Sequence, residues 1–178
     1  MSDYQVIPEI DVLVATTVFL KERGVKPYRI SVPKGKGMDK TSYQERIWKI
    51  LTSNSAPDVY PFSPEGPDII GISETEWWQV ECKGSGKGVQ STQRNNFDRA
   101  LASVVSYYEE ETKGLPKKYE QYKNAQSYLG LALPASPAYL KELKKRVRKP
   151  LREILNLWIL LYEPELKSIR AVSPEDSY

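Results

Sequence analysis

Hydrophobic positions recur along much of the chain at the three- and four-residue spacing typical of helices. This pattern predicts helices over 11–24, 39–55 and 91–111. A further helix is predicted over 136–156, with an interruption near Pro150, because proline lacks the N–H group that a helix interior requires. Helices therefore account for a large share of the predicted structure.

Between these segments, short apolar runs bounded by turn residues predict strands over 27–33, 68–73, 77–83, 127–135, 157–164 and 168–174. The polar residues 74–76 join two of these runs, which predicts an antiparallel hairpin. The order of elements indicates an α/β protein with a central mixed β-sheet flanked by α-helices. No internal repeat or linker interrupts the chain, so a single domain is expected over 1–178.

Composition narrows the class of protein. The chain has 178 residues, of which 40% are hydrophobic and 28% are charged, as in soluble globular proteins. No apolar run approaches the length of about 20 residues that spans a bilayer, so no membrane partner is expected. The first residues lack the pattern of a secretory signal, and the single cysteine excludes an internal disulfide. We expect a cytoplasmic protein.

Charge and the absence of histidine limit the possible chemistry. The net charge of +3 permits a polyanionic partner without requiring one, and the basic runs fit a solvated surface equally well. Without histidine, the chain cannot form a Ser-His-Asp triad, a Cys-His dyad or a zinc site with histidine ligands. Acid–base chemistry must then come from carboxylates, lysine, tyrosine or water.

The predicted hairpin places charged residues together at its open end. Side chains alternate along a strand, so Glu81 and Lys83 share one face while Cys82 points into the apolar layer. Pairing of the two strands places Asp68 beside them. Two adjacent carboxylates repel each other unless a proton or a cation neutralises them. Oxygen ligands favour Mg²⁺, with Mn²⁺ as an alternative, and the backbone carbonyl of Cys82 offers a further ligand.

The sequence Pro67-Asp68, followed after a short spacer by Glu81-Cys82-Lys83, resembles the motif of the PD-(D/E)xK, or restriction-endonuclease-like, nuclease superfamily. The resemblance covers roughly residues 41 to 133. It implies a restriction-endonuclease-like fold and a Mg²⁺-dependent endonuclease that hydrolyses DNA. Asp68 and Glu81 would bind the metal, and Lys83 would orient or activate water.

The family often adds an acidic residue on a preceding helix, for which Glu45 is the candidate, and a glutamine early in the following helix. Gln90 and Gln93 are both candidates for that glutamine, with Gln93 placed among the catalytic residues. Residues that could contact DNA are Lys87, Gln90, Arg94 and Arg99. Cutting both strands requires two sites, so a homodimer is expected, and no small-molecule cofactor is implied.

Other functions remain open on sequence grounds. The same [DE]-x-K pattern occurs at Glu111, Glu142 and Glu165, so the charges at Glu81 and Lys83 could be an accidental pair at a strand end. The chain could also be a non-catalytic nucleic-acid-binding or regulatory protein of the same fold. A third alternative is a protein-interaction scaffold whose charges lie only on the surface.

Overall fold

The structure is a computed structural model that describes residues 6–31, 44–45, 47, 49, 62–63, 66–86, 90–108 and 124–178. The helices are α1 (Glu9–Glu22), α2 (Gln90–Ser106), α3 (Pro137–Arg146) and α4 (Lys149–Leu155). The strands are β1 (Lys26–Ser31), β2 (Phe62–Ser63), β3 (Ile69–Ile72), β4 (Glu76–Cys82), β5 (Gln126–Pro134), β6 (Leu157–Glu163) and β7 (Ser168–Val172).

The described strands form one seven-stranded mixed sheet with the order β2-β1-β3-β4-β5-β6-β7. Strands β3 and β4 form the predicted antiparallel hairpin, in which Ile69 lies opposite Val80. Strands β4, β5 and β6 run parallel, and β7 returns antiparallel to β6. The predicted α/β class, with a mixed sheet flanked by helices, is confirmed.

Two apolar layers enclose the sheet, because each face carries its own set of buried side chains. Helix α1 packs on the face that presents Trp78, Val80 and Cys82 of β4. Helices α2, α3 and α4 contribute to the layer on the other face, where they meet apolar residues of β5 and β6. Cys82 is fully buried, as its position in the alternating pattern predicted. Glu81, with the opposite parity, faces the α2 side.

The predicted helical segment 136–156 is interrupted as expected. Helix α3 ends at Arg146, and α4 begins at Lys149 with Pro150 in its first turn, where a helix needs no N–H donor. The Ser136 side chain caps α3 by accepting a hydrogen bond from the backbone N–H of Tyr139.

The helix predicted over 39–55 lies mostly outside the described residues. Its described members, Gln44, Glu45, Ile47 and Lys49, have helical backbone, and Ile47 is buried in the layer that contains α1. Within the described ranges, no helix is long and apolar enough to cross a bilayer.

Candidate active site

Three charged residues meet at the open end of the β3–β4 hairpin. Asp68 precedes the Ile69–Val80 pair and therefore stands across from Glu81. The ammonium nitrogen Nζ of Lys83 lies 3.1 Å from Oε1 of Glu81 and 4.0 Å from Oδ2 of Asp68. The structure thus brings together the three side chains that the strand pattern placed side by side.

Hydrogen bonds from neighbouring groups orient both carboxylates. The backbone N–H of Cys82 donates to Oδ2 of Asp68 at 2.7 Å. The hydroxyl of Tyr107, just after α2, donates to Oε2 of Glu81 at 2.9 Å. The side chain of Gln79 in turn donates to the backbone carbonyl of Tyr107 at 3.3 Å. Asp68 and Glu81 are both buried, so these bonds replace contacts with water.

A fourth charged residue, Glu9, joins the group from the first turn of α1. Its Oε2 lies 3.5 Å from Nζ of Lys83. Reciprocal backbone hydrogen bonds of 2.8 Å between Ile7 and Ser85 fasten the start of α1 beside Lys83. Gly84 permits this approach, since a Cβ there would lie 2.3 Å from the Ile7 carbonyl oxygen. No local sequence pattern indicates Glu9, because only a tertiary contact places it at the site.

The buried position of Asp68 disfavours its ionised form, which changes its pKa. Burial, reinforced by the negative charge of Glu81, raises the pKa of Asp68 from 3.8 to about 7. Lys83 and the backbone N–H of Cys82 lower the pKa of Asp68, but their effect is smaller than that of the lost hydration. Asp68 therefore binds a proton near neutral pH, and a divalent cation could take the place of that proton.

Lys83 and Glu9 titrate under the influence of the same charges. Burial disfavours the ammonium form of Lys83, but the surrounding carboxylates outweigh burial and raise the pKa of Lys83. Burial also raises the pKa of Glu9, while Lys83 opposes that effect. Lys83 is consequently a cation at neutral pH in this arrangement, and it neutralises part of the negative charge.

The donor atoms fit a hard divalent cation in their chemistry. Asp68 and Glu81 supply two carboxylates and Cys82 a backbone carbonyl, and Mg²⁺ commonly uses only one or two protein carboxylates together with water and phosphate oxygens. Among the described residues, no three acidic or cysteine side chains form a ready-made ligand group. Instead, the carboxylates of Glu9, Asp68 and Glu81 surround the ammonium group of Lys83. This ammonium group supplies the positive charge that a metal ion would otherwise supply.

A cleft of about 510 Å³ opens beside the charged cluster. Glu9, Lys83 and Gly84 form part of its wall, and Asn96 and Arg99 of α2 form another part. Arg99, one of the residues predicted to contact DNA, is exposed and forms part of this wall. The cleft thus reaches the cluster at Glu9 and Lys83, whereas the buried Asp68 and Glu81 are not part of its wall.

The remaining predicted site residues have different placements. Gln93 is buried, and its Oε1 has no hydrogen-bond partner among the described residues. Gln90 begins α2, but its side chain, like the whole of Lys87, lies outside the described residues. Arg94 is exposed on α2. Glu45 is exposed and has no described contact with the cluster, where Glu9 is the acidic residue that a helix contributes.

Comparisons with models of protein families, with curated proteins and with solved structures found no match. The geometry of the site is therefore the basis for assigning a function to this chain.

Proposed function

We propose that this chain is a Mg²⁺-dependent endodeoxyribonuclease of the restriction-endonuclease-like fold. The observation that carries the proposal is the convergence of Asp68, Glu81 and Lys83 at one end of a β-hairpin, beside an open cleft. A mixed sheet with helices on both faces agrees with the fold that the motif implies.

Asp68 and Glu81 would hold the cation, with the backbone carbonyl of Cys82 as a further ligand and Mn²⁺ as a substitute metal. A bound Mg²⁺ supplies Lewis-acid stabilisation of the negative charge that develops on the phosphate. The hydrogen bonds from Cys82 and Tyr107 keep the two carboxylates oriented before any cation arrives.

Lys83 would act as a positioned cation. Because the surrounding carboxylates raise its pKa, Lys83 is protonated at neutral pH and would donate hydrogen bonds to a water molecule or to a phosphate oxygen. This role favours orientation of the attacking water over its deprotonation. Gln93 is the proposed site glutamine, because it is buried and its side-chain carbonyl oxygen has no hydrogen-bond partner within the described ranges.

DNA is the proposed substrate and partner. Arg99 lies at the cleft, and Arg94 is exposed on the same helix, so both could contact backbone phosphates. Cleavage of both strands would require two sites, which supports a homodimer. The free, buried thiol of Cys82 is compatible with the reducing cytoplasm, which we propose as the location.

The test is a cleavage assay on supercoiled, linear and single-stranded DNA with Mg²⁺ or Mn²⁺, in which the wild-type chain is compared with Lys83→Ala and Asp68→Ala. We expect both substitutions to abolish hydrolysis. Lys83→Ala should still bind the metal and DNA, since it removes neither proposed metal ligand.

The turn between β6 and β7 offers a matched control. Glu165 and Lys167 repeat the spacing of Glu81 and Lys83, but both are exposed and lie far along the chain from the hairpin. Lys167→Ala should cleave DNA like the wild type. DNA binding without any metal-dependent cleavage would instead indicate a non-catalytic protein of this fold, and neither binding nor a metal effect would favour an interaction scaffold.

A further inference from the structure

Helix α3 carries a row of exposed cations on the side that faces away from the core. The row, here called the α3 ridge, consists of Lys141, Lys144, Lys145 and Arg148, all of which are exposed. Lys141, Lys144 and Lys145 are three and four residues apart and lie along one side of α3, and Arg148 follows just beyond the end of the helix. Tyr139, Leu143 and Val147 occupy the buried side.

The acidic residues near the ridge form ion pairs with cations that are not part of the ridge. Glu142 and Asp98 both form ion pairs with Arg146, and Glu153 pairs with Lys149. No carboxylate within the described part of the chain forms an ion pair with a ridge residue. The positive charge of the ridge is therefore available to an external partner.

The ridge belongs to one of two strongly basic segments of the protein, the other being residues 26–40. Residues 137–155 contain seven lysine and arginine residues and two glutamates, whereas the entire chain has a net charge of only +3. The remainder of the chain is thus net negative. An asymmetry of this kind is typical of an electrostatic contact surface for a polyanion.

Helix α3 is fixed next to the candidate active site. The hydroxyl of Tyr139, in its first turn, donates a 2.9 Å hydrogen bond to the carbonyl oxygen of Gly84, the residue after Lys83. From Lys141 to Lys145 the helical part of the ridge extends for roughly 6 Å at the helical rise of about 1.5 Å per residue. This length corresponds to about two phosphates along one DNA strand.

We propose that the α3 ridge binds the phosphate backbone of DNA next to the segment held in the cleft. This inference rests on the proposed function, for which it names a second contact surface. The chemistry favours a nucleic acid over a lipid surface, because the apolar side of α3 is buried in the core and cannot enter a membrane. The contact is independent of base sequence, since lysines that bind phosphates read no base edges.

The experiment measures binding of a 30-base-pair duplex by fluorescence anisotropy in EDTA, over a range of salt concentrations. The test variant is Lys141→Ala/Lys145→Ala. The control variant, Lys21→Ala/Lys26→Ala, removes a charge from the last turn of α1, which packs on the opposite face of the sheet from α3, and a charge at the start of β1. Thermal melting of each variant verifies that the fold is intact.

We expect the test variant to bind about tenfold more weakly near 0.1 M salt, with a salt-dependence slope lower by about 2. The control variant should match the wild type. Replacing the same two lysines with arginine should restore binding, because the charge is retained.

Equal binding by the test and control variants would overturn the ridge proposal. Mg²⁺-dependent cleavage is measured in parallel, so a wild-type chain that still cleaves DNA would leave the proposed function intact. Loss of binding to phosphatidylserine vesicles, without loss of binding to DNA, would also overturn the proposal in favour of a membrane contact.

Discussion

Both oxygens of the Glu81 carboxylate have partners, because the hydroxyl of Tyr107 bonds one and Lys83 the other. A buried carboxylate held in this way loses little orientational freedom when it binds a cation. Burial, together with the charge of Glu81, raises the pKa of Tyr107, so its hydroxyl keeps the proton that it donates. Tyr107 therefore acts as a positioning residue for Glu81.

Tyr107→Phe should weaken Mg²⁺ affinity by roughly tenfold or more, because loss of a hydrogen bond that orients a metal ligand commonly has this effect. Isothermal titration calorimetry with Mg²⁺ or Mn²⁺ measures the change. Tyr108→Phe is the matched control, since Tyr108 is the next residue and is 43% exposed. Equal affinities of the two variants would show that the Tyr107 hydroxyl does not orient Glu81.

Asp68 makes the metal-free protein sensitive to pH. Its pKa is about 7 in the folded state and near 3.8 when it is hydrated, so between these values the folded state retains a proton that the unfolded state releases. The free energy of unfolding should therefore fall as the pH rises from about 4 to 7, by roughly 1 kcal/mol per pH unit from this group, and level off above 7. Urea denaturation in EDTA at a series of pH values measures the slope.

Asp68→Asn should remove much of this slope, because the amide does not titrate. A residual slope of the same sign is expected from Glu9, whose pKa is also raised by burial. If the variant showed the same pH dependence as the wild type, Asp68 would not be the group that titrates.

The sequence alone was sufficient to place Asp68, Glu81 and Lys83 together, because strand alternation and hairpin pairing are local rules. It could not identify Glu9 or Tyr107, since each reaches the cluster through contacts between distant elements. The resemblance indicated Glu45 as the acidic residue from a helix, because Glu45 precedes the motif strands in the chain. The described contacts instead place Glu9 beside Lys83.

At the scale of elements, the junction between α1 and the segment after β4 determines whether Glu9 reaches the site. This junction needs glycine at position 84, where the backbone of Ile7 and Glu9 leaves no room for a side chain. Gly86, two residues later, has open space around the position of a Cβ. The two glycines thus form a matched pair for an experiment.

Gly84→Ala should destabilise the protein by about 1–3 kcal/mol, since a methyl group forced into packed backbone costs about this much. It should also displace Glu9 from Lys83. Gly86→Ala should remain within about 0.5 kcal/mol of the wild type. Chemical denaturation of both variants measures the difference, and a Gly84→Ala variant as stable as Gly86→Ala would contradict the close approach of the two segments.

Periodicity predicted the helices and all described strands except β2, because each of them buries one face against a neighbouring layer. Strand β2, Phe62–Ser63, lies in a segment rich in proline and serine that the sequence indicated as a loop, and two residues are too few to show a period. The break before α4 followed from Pro150, whose effect on a helix is also local. The order of strands in the sheet could not be predicted, since pairings such as β1 with β3 depend on how distant segments pack. Local patterns therefore predicted the elements better than their arrangement.

At the scale of the whole molecule, a cation that binds only the folded chain must stabilise it. At a Mg²⁺ or Mn²⁺ concentration 100 times the dissociation constant, the gain is about 2.7 kcal/mol. For a chain of this length, we expect Tm to rise by roughly 5–10 °C. Differential scanning calorimetry with and without EDTA measures this shift.

The double variant Asp68→Asn/Glu81→Gln should lose this rise in Tm while keeping the packing of the hairpin. An undiminished rise in the double variant would place the metal elsewhere on the molecule.

The pairing of Ile7 with Ser85 has a practical consequence for handling the protein. Val6 and Ile7 form part of the cleft wall, and the pairing with Ser85 holds Ile7 there. A bulky label attached at either residue would narrow the cleft. Labels for binding measurements should therefore be attached away from this segment.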